Sequence, residues 1–260
     1  MGAGRIESNG MTHATSASPP AWPFPRVLAH RGGGTLAPEN TLAGLRAAAG
    51  YGFRGVEFDA KLTRDGVAVL MHDETLDRTT NGRGLVAQTD WTTLEHLDAG
   101  SWSDRRFGGE TIPTLIAALR LCAELGLWPN VEIKACPGRE AETGDAAARA
   151  VIRHWAGSTP PLLSSFSPAA LEAARGAAPR LPRGLLVDTV PDDWLEQVEA
   201  LGCFSLHCAQ RGVTNALQQA EGRIPILCYT VNRPKLVREL LACGVSAVVT
   251  DRIDLIAPDA

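Results

Sequence analysis

Short, almost wholly apolar runs recur along the chain from residue 26 to residue 250. The stretches between them return apolar residues every three or four positions. The first pattern belongs to strands buried on both faces and the second to amphipathic helices. Strands are expected at 26–30, from 55, and at 130–134, 162–166, 184–187, 203–207, 225–231 and 247–250. Helices are expected at 39–49, from Pro113 to Gly126, near 140–156, from Pro168, near 193–200, near 214–221 and at 234–243. Eight strands alternating with helices predict a (β/α)8 TIM barrel. A doubly wound open sheet is the competing arrangement. The last two strands match the first in length, which favours closure.

Two stretches break this rhythm. Residues 55–73 read as a hairpin: Gly55 to Leu62 is strand-like, Asp65-Gly66 offers a turn, and Val67 to Met71 returns to His72-Asp73. Residues 74–110 read as a small insertion after strand 2, with Thr92-x-x-Glu95 resembling a capping box. Residues 1–25 are small, polar and proline-bearing, and are expected to form a flexible N-terminal extension outside a barrel of residues 26–260. They contain no apolar signal-peptide core, and Met11 offers an alternative start.

Composition narrows the function classes. The 260 residues are 45% hydrophobic and 21% charged, ordinary for a globular protein, with a formal net charge of -4. An acidic balance argues against nucleic acid or an anionic membrane as the main partner. The six cysteines show no zinc spacing and mostly lie in apolar runs, as buried free thiols of a reducing compartment do. No run approaches the roughly 18 apolar residues of a membrane span, so a cytoplasmic, soluble protein is expected.

In a (β/α)8 barrel, chemistry collects at the C-terminal ends of the strands. Those ends carry His30, Glu57 with Asp59, Glu132 with Lys134, and His207. Side chains at i and i+2 of a strand share a face, so Glu57 and Asp59 aim at one point, as do Glu132 and Lys134. Two like charges ~4 Å apart repel by roughly 4 kcal/mol at an effective dielectric near 20. Either one carboxyl of this cluster holds a proton or a divalent cation sits among them, and all-oxygen ligation indicates Mg²⁺ or Ca²⁺ rather than Zn²⁺. His30 and His72 are suited to proton transfer near neutral pH. Arg31 and Lys134 suit an anion that gains charge in the transition state. Phosphodiester chemistry fits this set better than nucleotide triphosphate chemistry, since no phosphate-binding Gly-x-x-x-x-Gly-Lys-Ser/Thr loop is present. Singly, a buried histidine or one Glu-x-Asp serves structure more often than chemistry; the shared placement singles these residues out.

At these residues the chain resembles the glycerophosphodiester phosphodiesterases, most of all the bacterial cytoplasmic kind linked to glycerol-3-phosphate uptake. The matching pieces are His30-Arg31-Gly32, Ala37-Pro38-Glu39-Asn40-Thr41, Glu57-Phe58-Asp59, Asp65-Gly66, His72-Asp73, Arg78-Thr79, Glu132-Ile133-Lys134, Tyr229-Thr230-Val231-Asn232 and Thr250-Asp251. The resemblance implies a (β/α)8 barrel with an insertion after strand 2. It also implies hydrolysis of glycerophosphodiesters such as glycerophosphocholine to glycerol 3-phosphate and an alcohol. Carried over, His30 and His72 match the acid/base pair, and Glu57, Asp59 and Glu132 match the metal ligands. Arg31 and Lys134 match phosphate contacts, with Asn40 supporting the site. His207 and Tyr229 are expected to line the substrate pocket. One departure is Ala135-Cys136, where the family often has proline after Glu-x-Lys; it places Cys136 near the mouth as a bystander thiol. The nucleophile would be water or the substrate's glycerol 2-hydroxyl. The alternatives are a barrel phospholipase acting on lipids and a non-catalytic barrel that binds a phosphorylated metabolite.

Overall fold

The computed structural model describes residues 22–260; residues 1–21 of the expected N-terminal extension lie outside the described residues. Eight parallel strands close into a barrel: β1 (Val27–Ala29), β2 (Gly55–Leu62), β4 (Trp128–Ile133), β5 (Leu162–Ser165), β6 (Arg183–Val187), β7 (Ser205–Ala209), β8 (Ile226–Tyr229) and β9 (Ala247–Thr250). Each pairs with the next, and β9 pairs back onto β1, so the sheet has no parallel edge and the open-sheet alternative is excluded. The helices α1 (Leu42–Gly50), α3 (Leu115–Leu125), α4 (Glu140–His154), α5 (Pro168–Ala177), α6 (Trp194–Leu201), α7 (Val213–Ala220) and α8 (Pro234–Ala242) surround it. Among the described residues, no helix is long and apolar enough to cross a membrane.

Alternation along the strands sorts the core into two layers. Val56, Phe58 and Ala60 of β2 join Val131, Leu163, Leu206 and Val248 against the helices. The opposite faces give the barrel interior, where Leu28, Trp128, Leu162, Leu227 and Val249 pack together. The floor of that interior is closed from the N-terminal side. Phe24 is buried and stacks on Trp128 with ring centroids 4.2 Å apart, and Trp22 packs edge-on against both. Residues 22–25 therefore belong to the fold and not to an extension; their prolines disguise two aromatic side chains that plug the barrel.

β2 is the longest strand, and its overhang sets up the site. Residues 55–60 pair with β4, while residues 60–62 run past the rim and pair antiparallel with β3 (Ala68–Leu70). β3 is thus outside the barrel repeat, as the hairpin pattern implied. The excursion that follows has its own apolar cluster, including Met71, Leu76, Val86, Leu94 and Ile112. Its helix α2 (Trp91–Leu94) has Asp90 at the N-cap and Glu95 at the C-cap, so Thr92 and Glu95 do not form a capping box. The next helix is capped by Thr114, whose hydroxyl accepts the Ala117 N–H, leaving Pro113 ahead of the cap.

Truncating the floor leaves a cavity that the closed barrel cannot collapse into. Phe24→Ala is expected to lower unfolding stability by about 3 kcal/mol. A shift in urea midpoint at unchanged slope reads this directly. A loss below about 1 kcal/mol would show that residues 22–25 are not part of the core.

Candidate active site

The strand register builds the centre of the site. Asp59 lies opposite Glu132 across β2 and β4, and Ala29 opposite Val56 across β1 and β2, which brings His30 beside Glu57. Glu57, Asp59 and Glu132 are all buried and each offers an oxygen within 4.8 Å of the others. Burial, and next the charge of Asp59, pushes the carboxyls of Glu57 and Glu132 well above the usual carboxylate range. Glu57 Oε1 is buried without a hydrogen-bond partner among the described residues. Three convergent hard oxygen donors, one of them orphaned, fit a hard divalent cation.

The first loop wraps this centre in donors. The expected helix at residue 39 starts instead at Leu42, because Thr41 caps it, its hydroxyl accepting the Gly44 N–H. Asn40 is released into the left-handed region at φ 56°, a conformation asparagine tolerates. Its amide donates to Asp59 Oδ2 at 2.8 Å, and its Oδ1 accepts the Asp59 N–H at 3.0 Å. Arg31 sits 3.6 Å from Asp59 and donates to Glu39, while its backbone N–H donates to Glu57 at 3.2 Å. Lys134, one residue past β4, donates to Glu132 at 2.7 Å and lies 4.0 Å from Asp59.

Each histidine at the mouth has its own carboxylate. His30 Nδ1 pairs with Asp251 at 2.5 Å, leaving Nε2 3.8 Å from Glu57. Asp251 is steadied by Asn232, whose amide donates to it at 2.9 Å. Gly34 must be glycine for this: its φ is 55°, and a Cβ there would come within 2.2 Å of the Asp251 carbonyl oxygen. His72 Nδ1 pairs with Asp73 at 2.7 Å. Burial alone would lower the pKa of His30, but the Asp251 hydrogen bond and the Glu57 charge outweigh it and hold the ring above the ordinary histidine value. Burial keeps His72 below that value against the opposing Asp59 charge and Asp73 hydrogen bond. One imidazole biased toward its charged form and one toward its neutral form is the pairing that acid/base exchange uses.

Arg78 ties the two halves together. It donates to both oxygens of Asp73 and both oxygens of Glu39, and Glu39 in turn accepts from Arg31. Sequence pattern alone assigns no role to Asp251, Asn232, Asp73, Glu39 or Arg78, although all lie in motif segments. The available signals were a carboxylate next to His72 and another at the end of the strand that closes onto β1.

Tyr229 stands at the end of β8, half-buried, donating to the Val187 carbonyl at 2.9 Å; its phenol is pushed up by burial and by Glu132 nearby. His207 is a correction. It faces the barrel interior but is fully buried, with Nε2 3.0 Å from the Ser205 hydroxyl, and burial pushes it down to about 3. It is a neutral core histidine and does not reach the mouth. Cys136 is buried near Lys61 and Arg139.

Two clefts flank the centre. One, of about 540 Å³, is lined by His30, Arg31, Glu39, Asp251 and, from the insertion, Trp102. The other, of about 410 Å³, is lined by His72, Asp73, Lys61 and Lys134. A phosphodiester has two arms, and a charged centre between two clefts can receive both.

Comparisons with known proteins agree with this geometry. The model of the glycerophosphoryl diester phosphodiesterase family matches residues 30–255. A glycerophosphodiester phosphodiesterase of Caldanaerobacter subterraneus is 32% identical over 86% of this chain and 93% of its own. One from Bacillus altitudinis is 31% identical over 87% of this chain and 94% of its own. Among solved structures, a phosphodiesterase of Oleispira antarctica in complex with the product sn-glycerol-3-phosphate superposes with a TM-score of 0.84. It is 39% identical, over 88% of this chain and 93% of its own. A glycerophosphodiester phosphodiesterase of Agrobacterium tumefaciens follows at a TM-score of 0.71 and 27% identity, over 90% and 99%. Fold, site and sequence agree that this chain belongs to the glycerophosphoryl diester phosphodiesterase family.

Proposed function

We propose that this phosphodiesterase hydrolyses water-soluble glycerophosphodiesters such as glycerophosphocholine and glycerophosphoethanolamine, releasing sn-glycerol 3-phosphate and the alcohol. The observation that carries this reading is the buried triad Glu57, Asp59 and Glu132, set between two carboxylate-braced histidines and two cations, Arg31 and Lys134. The Oleispira phosphodiesterase binds sn-glycerol-3-phosphate as its product, which supports the same product here.

The triad would hold Mg²⁺ or Ca²⁺, whose charge would neutralise the carboxylates and stabilise the phosphoryl oxygens of the transition state. Arg31 and Lys134 bind and orient the anion, and Asn40 keeps Asp59 aimed at the centre. The two imidazoles work as a pair. One takes the proton of the attacking hydroxyl while the other delivers a proton to the oxygen of the departing alcohol. Asp251 and Asp73 hold Nδ1 of each ring, so that Nε2 is the atom exchanging the proton.

Removing either imidazole removes one half of that exchange. His30→Ala and His72→Ala should each lower turnover of glycerophosphocholine by about 10²- to 10⁴-fold, measured as glycerol 3-phosphate release. Near-normal turnover in either variant would sink the two-histidine reading.

Cation binding has a readout besides turnover. In the metal-free protein, carboxyls with raised pKa hold protons that the unfolded chain has already lost. Their contribution to stability is therefore full below the ordinary carboxylate range and is lost as pH rises through the raised values. A cation replaces those protons. After EDTA treatment, added Mg²⁺ or Ca²⁺ should raise Tm more at about pH 8 than at about pH 6. The rise should vanish in Glu57→Gln. An equal rise in that variant would place the ion elsewhere.

A further inference from the structure

Trp102 is an unusual residue to find at the mouth. Its side chain is 42% exposed, yet it lines the same cleft as His30, Arg31 and Asp251. The loop that carries it is tightly built. Asp98 accepts the backbone N–H groups of Gly100, Ser101 and Gly109 and the Ser101 hydroxyl, and those bonds hold its carboxyl well below the usual range. Gly100 lies so close to the next turn that a Cβ would come within 2.0 Å of the Phe107 carbonyl oxygen. The indole N–H donates to the Ala99 carbonyl at 2.8 Å, so the polar edge of the ring is satisfied within its own loop. What is left for the cleft is an aromatic surface held in place before any ligand arrives.

The other large aromatic exposed near the mouth is not available in the same way. Phe166 already has the Lys134 ammonium 5.2 Å from its ring centroid. The opposite cleft is lined by Lys61, Lys134, the His72 imidazole and the carboxylates of Asp73 and Glu74, with no Phe, Tyr or Trp. The Trp102 cleft carries the carboxylates of Glu39 and Asp251 beside a single arginine, Arg31, and so sets an aromatic face next to carboxylates. A quaternary ammonium has no N–H to donate, and is recognised by an aromatic face together with nearby negative charge.

We propose that Trp102 is a specificity-determining residue: it forms a platform for a cationic alcohol arm of the substrate, a trimethylammonium-bearing group above all. The phosphodiester would then lie with its alcohol arm in the His30–Trp102 cleft and its glycerol arm on the lysine side. This rests on the glycerophosphodiester reading and adds to it which cleft takes which arm and what chemistry it selects. The insertion, and not the barrel, chooses the alcohol.

The test compares glycerophosphocholine with its carbon isostere, in which a tert-butyl group replaces the trimethylammonium, and with glycerophosphoglycerol. The first two have the same shape, so their kcat/KM ratio reads the charge, and a ratio is unaffected by the active fraction of a preparation. The wild-type enzyme should prefer the choline ester over the isostere by about two- to fivefold, the range expected of a cation over an exposed aromatic face. In Trp102→Leu and Trp102→Ala that ratio should fall to near one, whatever the absolute turnover of each ester, while Trp102→Phe retains part of it. A wild-type ratio near one overturns the inference without recourse to any variant. A ratio unchanged in Trp102→Leu also overturns it, leaving Glu39 and Asp251 as the source of the preference. Hydrolysis of none of the three esters by the wild-type enzyme would instead defeat the functional reading beneath it.

Discussion

Three carboxylates forced together in a buried barrel mouth are the constraint on which the rest of the site depends. The ladder between β2 and β4 fixes Asp59 beside Glu132, and the i, i+2 spacing fixes Glu57 on the same face. The strands fix the backbone under all three, so their repulsion has to be met where it arises. Lys134, Arg31 and the Asn40 amide meet part of it. Two of the carboxyls are still pushed toward their protonated forms, and one Glu57 oxygen has no partner among the described residues. That unmet repulsion suits the cluster to a cation more than to a structural set of ion pairs.

The same economy governs the histidines. Each is bonded at Nδ1 by a carboxylate that is itself held, Asp251 by Asn232 and Asp73 by Arg78. Arg78 then spans to Glu39, and Glu39 to Arg31, so a continuous set of charge-assisted bonds runs from His72 to the first loop. Exposed ion pairs add little to stability. A bidentate guanidinium between two carboxylates does something else: it fixes distance and direction. Its value here is the separation it imposes between the turn that carries His72 and the first loop.

Much of this was legible in the sequence, because alternation gives the face of every strand residue. Glu57, Asp59, Glu132 and Lys134 could be aimed correctly from spacing alone. Alternation does not give depth, and His207 shows the limit: it faces inward with the others yet is packed beneath the mouth on Ser205. Nor does spacing reveal closure. Asp251 and His30 are 221 residues apart and become neighbours only when β9 pairs with β1. Periodicity draws Asn40 into a helix, although Thr41 before the apolar run is the capping signal that releases it. At the other end, prolines around Trp22 and Phe24 made a barrel plug look like a tail.

The overhang of β2 also explains why the insertion cannot be treated as decoration on the barrel. Met71 donates its backbone N–H to the Asp59 carbonyl at 3.0 Å, and both Met71 and Val69 belong to the insertion's apolar cluster. The insertion core is therefore bonded to the backbone of a metal-ligand candidate, and it delivers His72 from one edge and Trp102 from the other. Loops on a rigid scaffold commonly carry specificity while the scaffold carries chemistry. Here the proposed acid/base residue His72 and the proposed platform Trp102 both adjoin one apolar core. Reshaping the proposed alcohol cleft through that core would therefore act on the same packing that positions His72.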